Sequence, residues 1–222
     1  MTVEEVRHKC LNCGMCNLSE TGSAPVPGEG PDDAEVMFVD EYPEPEDIEP
    51  MRPMTGEAGK LLQCYLEVIG LYRGENLYIT TLTKCRPPEN RNPDQGEREI
   101  CIQILREEFR AVRPKIVICA GRTVGKTLIK PDFFAPKESG VFFHKGKTIF
   151  VGVPRPSDLL RNPRAKADAF DYYAAIRAKI GEVCEHTYPP DFLLSHDEKK
   201  RLKEKPAVQE PQEQKVRQMT LV

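Results

Sequence analysis

The chain has 222 residues, 39% hydrophobic and 30% charged, enough for one sizeable domain with a polar surface and a tail. A formal net charge of −3 carries no chain-wide signature of a nucleic-acid binder, so a DNA-facing surface has to be a local patch. No apolar run is long enough to span a membrane, the polar start from Met1 to Lys9 does not read as a secretory signal, and eight cysteines point to metal binding in a reducing, cytoplasmic setting rather than a disulfide scaffold.

In chain order, the first feature is Cys13-Gly-Met-Cys16, followed by an extended loop over residues 17 to 33 that holds Pro25, Pro27, Gly28, Gly30 and Pro31. Glu35 to Val39 reads as a short buried strand, and the acidic, proline-containing stretch from Asp40 to Pro53 reads as the loop leaving its C-terminal end. Leu61, Leu62, Tyr65, Leu66 and Ile69 recur at helical spacing, and Gly70 ends that helix. Leu77 to Leu82 is a second strand. Asp94 with Glu97 three residues on predicts a capped helix running to about Val112, stopped by Pro114. Lys115 to Ala120 is a third strand, rich in β-branched residues, and Gly121 to Ile129 a short helix. Val141 to Val153 predicts a hairpin turned at Lys145-Gly146 that leads into a fourth core strand. Ala165 to Val183 is a last helix.

Strands alternating with helices indicate an α/β domain with a largely parallel sheet, whose functional loops lie beyond the C-terminal strand ends, after Val39, Leu82, Ala120 and Val153. The predicted domain occupies residues 1–188. Residues 189–222 mix charges of both signs with Gln and Pro, and read as a mobile tail.

Cys13, Cys16, Cys85 and Cys101 form two spaced pairs. Four thiolates of this kind can surround a single tetrahedral metal, zinc being the chief example, or an iron–sulfur cube. Cys64, Cys119 and Cys184 sit in apolar helix or strand patterns and read as core residues. Cys10 makes a second Cys-x-x-Cys with Cys13 and is taken as the spare.

These residues carry a family pattern. Cys13-Gly-Met-Cys16-Asn-Leu, Val26-Pro-Gly-Glu-Gly30-Pro, Arg52-Pro, Gly56-Glu-Ala-Gly59-Lys-Leu-Leu62, Tyr78-Ile-Thr, Lys84-Cys-Arg-Pro-Pro-Glu-Asn-Arg-Asn-Pro93, Cys101 and Leu159-Leu-Arg-Asn-Pro163 follow in order. Together they resemble the uracil-DNA glycosylase superfamily, in particular its iron–sulfur type, often called family 4. The resemblance implies a three-layer α/β/α domain around a mostly parallel four-stranded sheet. It also implies a [4Fe–4S] cluster on Cys13, Cys16, Cys85 and Cys101; Cys10 has no family counterpart.

Excising a base requires a pocket for the extruded nucleobase, an aromatic face, an amide that reads its edge, a group that positions water and a donor that stabilises the departing base. The family supplies these in short motifs, and this chain departs from each. Gly-Glu-Ala-Pro-Gly becomes Asp40-Glu41-Tyr42-Pro43-Glu44. Arg-Pro-Phe becomes Arg52-Pro53-Met54. The strand-ending Asn becomes Thr81, and His-Pro becomes Arg155-Pro156 ahead of Ser157. Tyr42, Met54 and Thr81 would then line an altered base pocket, with Tyr42 able to occupy the space meant for uracil. Two readings follow. One is a DNA-binding relative whose uracil excision is weak or lost, with Lys84, Arg86, Arg91, Arg155, Ser157, Arg161, Arg164 and Lys166 as a phosphate-contacting rim. The other is an active glycosylase of changed substrate in which Glu41 positions water and Arg155 stabilises the leaving base. The closing residues Gln218-Met219-Thr220-Leu221-Val222 resemble a bacterial sliding-clamp-binding peptide, with Gln218, Met219 and Leu221 as anchors, which would place the protein at the nucleoid during replication or repair.

Overall fold

A computed structural model describes residues 1–188. Gln218, Met219 and Leu221 lie outside the described residues. No helix among the described residues is long and apolar enough to cross a membrane.

Five strands form one sheet in the order β2-β1-β3-β5-β4: β1 (Val36–Asp40), β2 (Leu77–Thr81), β3 (Ile116–Ala120), β4 (Phe142–Lys145) and β5 (Thr148–Val153). The first four in that spatial order run parallel, and the predicted hairpin adds β4 as a fifth, antiparallel edge strand. Every residue of β1, β2 and β3 is buried, as expected of parallel strands covered on both faces. Strand alternation sorts their side chains into two cores. Val36, Phe38, Ile116, Ile118 and Val151 face one side, and Met37, Val39, Val117, Cys119 and Phe150 the other.

The six helices that matter for the site are α1 (Val3–Leu11), α2 (Pro45–Ile48), α3 (Glu57–Val68), α4 (Gln95–Val112), α5 (Pro156–Arg161) and α6 (Lys166–Val183). On the first face, α3 contributes Leu62, Tyr65 and Leu66, and α6 contributes Ala169, Tyr173, Ile176 and Ile180; the rings of Tyr65 and Tyr173 stack 4.9 Å apart. On the second face, α4 contributes Ile102, Leu105 and Val112. The expected Asp94/Glu97 capping box opens α4, and Arg113 ends it in a left-handed conformation just before Pro114.

Four features depart from the sequence reading, the first a helical turn at Leu18–Thr21 inside the stretch expected as an extended loop. The polar N-terminus forms α1, opened by a reciprocal Thr2/Glu5 capping box, and its Val6 and Cys10 pack on Ile104 of α4. The acidic loop after β1 contains α2. The stretch expected as one short helix is a turn at Gly121–Val124 that runs into a more widely wound segment, Gly125–Ile129. One long-range clamp fixes the end of the domain. The buried Glu35 carboxylate accepts the backbone N–H groups of Glu185, His186 and Thr187 at 2.8, 2.7 and 2.8 Å, and pairs with Lys115 at 2.9 Å.

Candidate functional site

Parallel pairing brings the C-terminal strand ends together: Asp40 of β1 lies opposite Thr81 of β2, and Ala120 of β3 opposite Val153 of β5. Loops leaving one edge of a parallel sheet meet over that edge. Arg155 follows β5 and precedes Pro156, which holds it extended as the residue before α5. Its side chain runs back over β1. Nε donates to Asp40 Oδ1 at 2.8 Å and Nη2 to Asp40 Oδ2 at 3.0 Å, a bidentate pair in which both side chains are almost fully buried.

The altered motif residues join in one network. Arg155 Nη2 also reaches Glu44 Oε1 at 3.3 Å, and Nη1 lies 3.6 Å from Glu41 Oε2. Arg86 Nη1 donates to the other Glu44 oxygen and to the Pro43 carbonyl, both at 2.9 Å. The Tyr42 ring lies within cation–π reach of both guanidinium groups, at 4.7 Å from Arg155 and 5.6 Å from Arg86, and its hydroxyl donates to Asn92 Oδ1 at 3.0 Å. Tyr42 is only 9% exposed. Asp40 and Glu44 therefore do not stand as bare charges crowding the site: Arg155, with Arg86, neutralises them.

The charges do not cancel completely. Asp40, Glu41 and Glu44 face two guanidinium groups, Arg86 and Arg155. Burial raises the Glu41 carboxyl above the ordinary carboxylate range, against the opposing pull of Arg155 and the Thr123 amide. For Arg155, burial acts to weaken its charge, and Asp40 outweighs it, so the guanidinium is held cationic more firmly than usual. Gly121 makes the approach possible: its φ is +88°, and a Cβ there would meet Arg155 Cγ at 2.5 Å and Glu41 Oε1 at 2.8 Å.

The other predicted pocket residues are largely buried. Met54 is buried in the core beside α3, and its backbone, at φ 59°, is held by Arg73, which donates to the Met54 and Pro53 carbonyls at 2.7 and 2.8 Å. The Thr81 hydroxyl is buried with no hydrogen-bond partner among the described residues. Beside them is a half-open cleft of about 260 Å³ lined by Glu44, Asp47, Met54, Gly56, Ser157 and Arg161. Ser157 and Arg161 thus sit at that cleft, which meets the Arg155 network at Glu44, and Arg161 pairs with Asp158 at 2.6 Å.

The expected phosphate-contacting rim needs correction. Lys84 is 1% exposed, and its Nζ donates to Glu108 Oε2 at 2.7 Å, to the Thr81 carbonyl at 2.8 Å and to the Thr80 hydroxyl, so it is an internal cation. Arg155 is internal as well. Arg86 is held by Glu44 and Pro43, and Arg91 is paired with Glu97 at 2.6 Å. Ion-paired cations release fewer counterions on meeting DNA than free ones.

The four cysteines expected as ligands lie in two places. Cys85 and Cys101 are buried where α4 meets the loop after β2, and Cys13 and Cys16 follow α1. Burial first, and then each other and the Cys13 and Cys16 thiols, push Cys85 up to about 12. Burial pushes Cys101 up to about 11, opposed by Lys84, whose backbone N–H donates to the Cys101 sulfur at 3.2 Å. Among the described residues no set of three or more His, Cys, Asp or Glu side chains is close enough to share one ion, as zinc at about 2.3 Å from each sulfur would require. A cube bonds one thiolate at each corner and spreads its ligands more widely, so the all-sulfur donor set with an N–H to sulfur bond fits such a group. Cys10 packs in the α1–α4 contact, with Cys13 against the same cluster. Cys64, expected in the core, is exposed: it lies on the outer side of α3, away from Leu62, Tyr65 and Leu66.

Sequence reasoning missed Asp40 and Glu44 as partners of Arg155, Asn92 as the partner of Tyr42, and Glu108 as the partner of Lys84. Substitution of both glycines by acids together with the histidine by an arginine was the available signal, since opposite changes in one loop cluster suggest a charge pair.

Residues 27–179 match the profile of the uracil DNA glycosylase superfamily. The chain is 31% identical to a type-4 uracil-DNA glycosylase of Archaeoglobus fulgidus over 86% of its length and 98% of the relative's. It is 38% identical to a type-4 uracil-DNA glycosylase of Sulfurisphaera tokodaii over 87% and 90%. A more distant relative, the DNA polymerase of Bacillus phage SP01, is 28% identical over 86% of this chain and 20% of the polymerase.

Proposed function

The chain belongs to the uracil-DNA glycosylase superfamily, and from that premise we propose that it is an iron–sulfur DNA-binding member whose base pocket is filled from within, so that ordinary uracil excision is weak or lost. One observation carries this reading: Arg155 is bound bidentately to Asp40 beneath a buried Tyr42. A nucleobase entering there has to displace a ring and break a buried ion pair. Breaking such a pair costs about 3–5 kcal/mol, and an arginine committed to two carboxylates is a poor donor to a departing base. Met54 and Thr81 add neither a flat face nor a reading amide.

In this reading Cys13, Cys16, Cys85 and Cys101 hold the cluster, which acts as a cross-link between the exit of α1 and α4. The likeness to a phage DNA polymerase supports a place in replication or repair, and Gln218, Met219 and Leu221 supply the tether to a sliding clamp. The names of the type-4 relatives favour the second reading, an active glycosylase in which Glu41 positions water. One experiment decides between them. Purified protein is incubated with single- and double-stranded oligonucleotides carrying uracil or hypoxanthine, and abasic sites are scored after alkali. Salt-sensitive binding without strand cleavage supports the first reading; release of either base supports the second. Deleting residues 218–222 abolishes clamp binding, and an unchanged interaction removes the tether.

A further inference from the structure

Of the seven sequence-predicted rim cations, Lys84, Arg86, Arg91, Arg155 and Arg161 are paired, and the loop over the strand ends is acidic, so that the rim expected to contact DNA keeps free positive charge among the described residues only at Arg164 and Lys166, at the start of α6. Further free charge lies to one side. Arg122 and Lys126 make no hydrogen bond or ion pair through their side chains among the described residues, and they line a half-open hollow of about 280 Å³ with Asp132, Phe133, Phe134, Ala135 and Pro136. Arg122 is the second residue of the turn after β3, next to Thr123, whose backbone N–H donates to Glu41 at 3.0 Å. The hollow therefore adjoins the strand ends.

Two consecutive phenylalanines in this hollow are used in opposite ways. Phe133 is 2% exposed and wedged against Gly125 and Gly152, where a Cβ would meet its ring at 2.3 Å in each case. Phe134 is 52% exposed. Its backbone is nonetheless fixed: its N–H donates to Glu138 Oε2 at 2.7 Å, its carbonyl accepts from Lys137 and Glu138, and Glu138 Oε1 pairs with Lys130 at 2.5 Å. A single exposed apolar residue is ordinary. An exposed ring on a fixed backbone, with two unpaired cations around one hollow, is the combination that binds an unstacked base and its phosphates.

We propose that Phe134, Arg122 and Lys126 form a contact for single-stranded DNA, one base stacking on the Phe134 ring while the neighbouring phosphates meet Arg122 and Lys126. The inference deepens the DNA-binding reading and rests on it. Duplex bases are already stacked on each other and present no free face to the ring, so the site prefers single strands. The hollow is below the usual size of a small-molecule pocket, which suits one base at an open edge.

The test uses the full chain and a fluorescent thymine 20-mer, alone and annealed to its complement, in anisotropy titrations. Phe134→Ala weakens single-strand binding about tenfold and leaves duplex binding unchanged. Joint replacement of Arg122 and Lys126 by Ala lowers the slope of log affinity against log salt by about 1.4. The chain contains no tryptophan, so Phe134→Trp places a sole indole at the site. Its emission is quenched on adding the 20-mer, and its affinity matches or exceeds that of the unmodified chain. Single-strand binding that survives Phe134→Ala unchanged, with an unquenched indole in Phe134→Trp, overturns this inference and leaves the DNA-binding reading standing. An unmodified chain that binds neither DNA overturns both.

Discussion

Arg155 and Asp40 meet across 115 residues of chain with both guanidinium–carboxylate bonds formed, at 2.8 and 3.0 Å. The two residues form one buried unit with Tyr42 and Glu44. Removing one member leaves the other as an uncompensated buried charge.

Arg155→Ala is therefore expected to cost about 3–5 kcal/mol, and adding Asp40→Ala to recover at least about 1 kcal/mol of that loss. Urea denaturation of both single variants and the double variant checks it. Strictly additive losses would mean the pair is not coupled.

The Glu35 clamp makes the end of the domain sensitive to acid. Burial acts to raise the Glu35 pKa, and Lys115, the Glu185 and His186 N–H groups and the Thr187 hydroxyl outweigh it, holding the carboxyl at about 2 against an ordinary 4.5. A depressed pKa gives stability that is fully present above 4.5 and lost as pH falls towards 2. Its size is on the order of 3 kcal/mol. Urea midpoints between pH 6 and pH 2 fall accordingly in the unmodified chain, and Glu35→Gln starts lower and flattens the profile. An unchanged pH slope in Glu35→Gln would remove the clamp as the cause.

Lys84 is expected to act in stability and not in DNA contact. Lys84→Met strands Glu108 and costs about 3–5 kcal/mol, while Lys84→Met combined with Glu108→Leu regains most of it. The salt dependence of DNA binding by the double variant matches that of the unmodified chain. A slope reduced by about 0.7 or more would return Lys84 to the phosphate-contacting set.

Each of Cys13→Ser, Cys16→Ser, Cys85→Ser and Cys101→Ser is expected to lose iron and the visible absorbance of a cluster, whereas Cys10→Ser and the exposed Cys64→Ser retain both. Iron content per chain after anaerobic purification is the readout. Retention in any of the first four, or loss with Cys10→Ser, would redraw the ligand set.

What the sequence disclosed follows the range of the interactions. The parallel strands were legible because burial on both faces makes each a continuous apolar run, and α4 because its cap is written within four residues. The helix α1 was not, because its buried Val6 and Cys10 are too few to set a period and depend on Ile104 far along the chain. The cysteine ligand set rests on spacing and family flanks. The side chains of Lys84 and Arg155 were placed on the surface because an isolated cation in a loop usually lies there. Their partners are 24 and 115 residues away, and no local pattern marks them. Cys64 was read as core because it adjoins apolar positions, yet it is two residues from Leu62 and so on the other side of the helix.

The most direct test of the filled pocket is the single-turnover rate of uracil release from a single-stranded oligonucleotide with protein in tenfold excess. It is run for the unmodified chain and for a variant carrying Asp40→Gly, Tyr42→Ala, Glu44→Gly, Met54→Phe, Thr81→Asn and Arg155→His. The account predicts no release above the protein-free background for the unmodified chain and measurable release for the variant. Rapid release by the unmodified chain would contradict it.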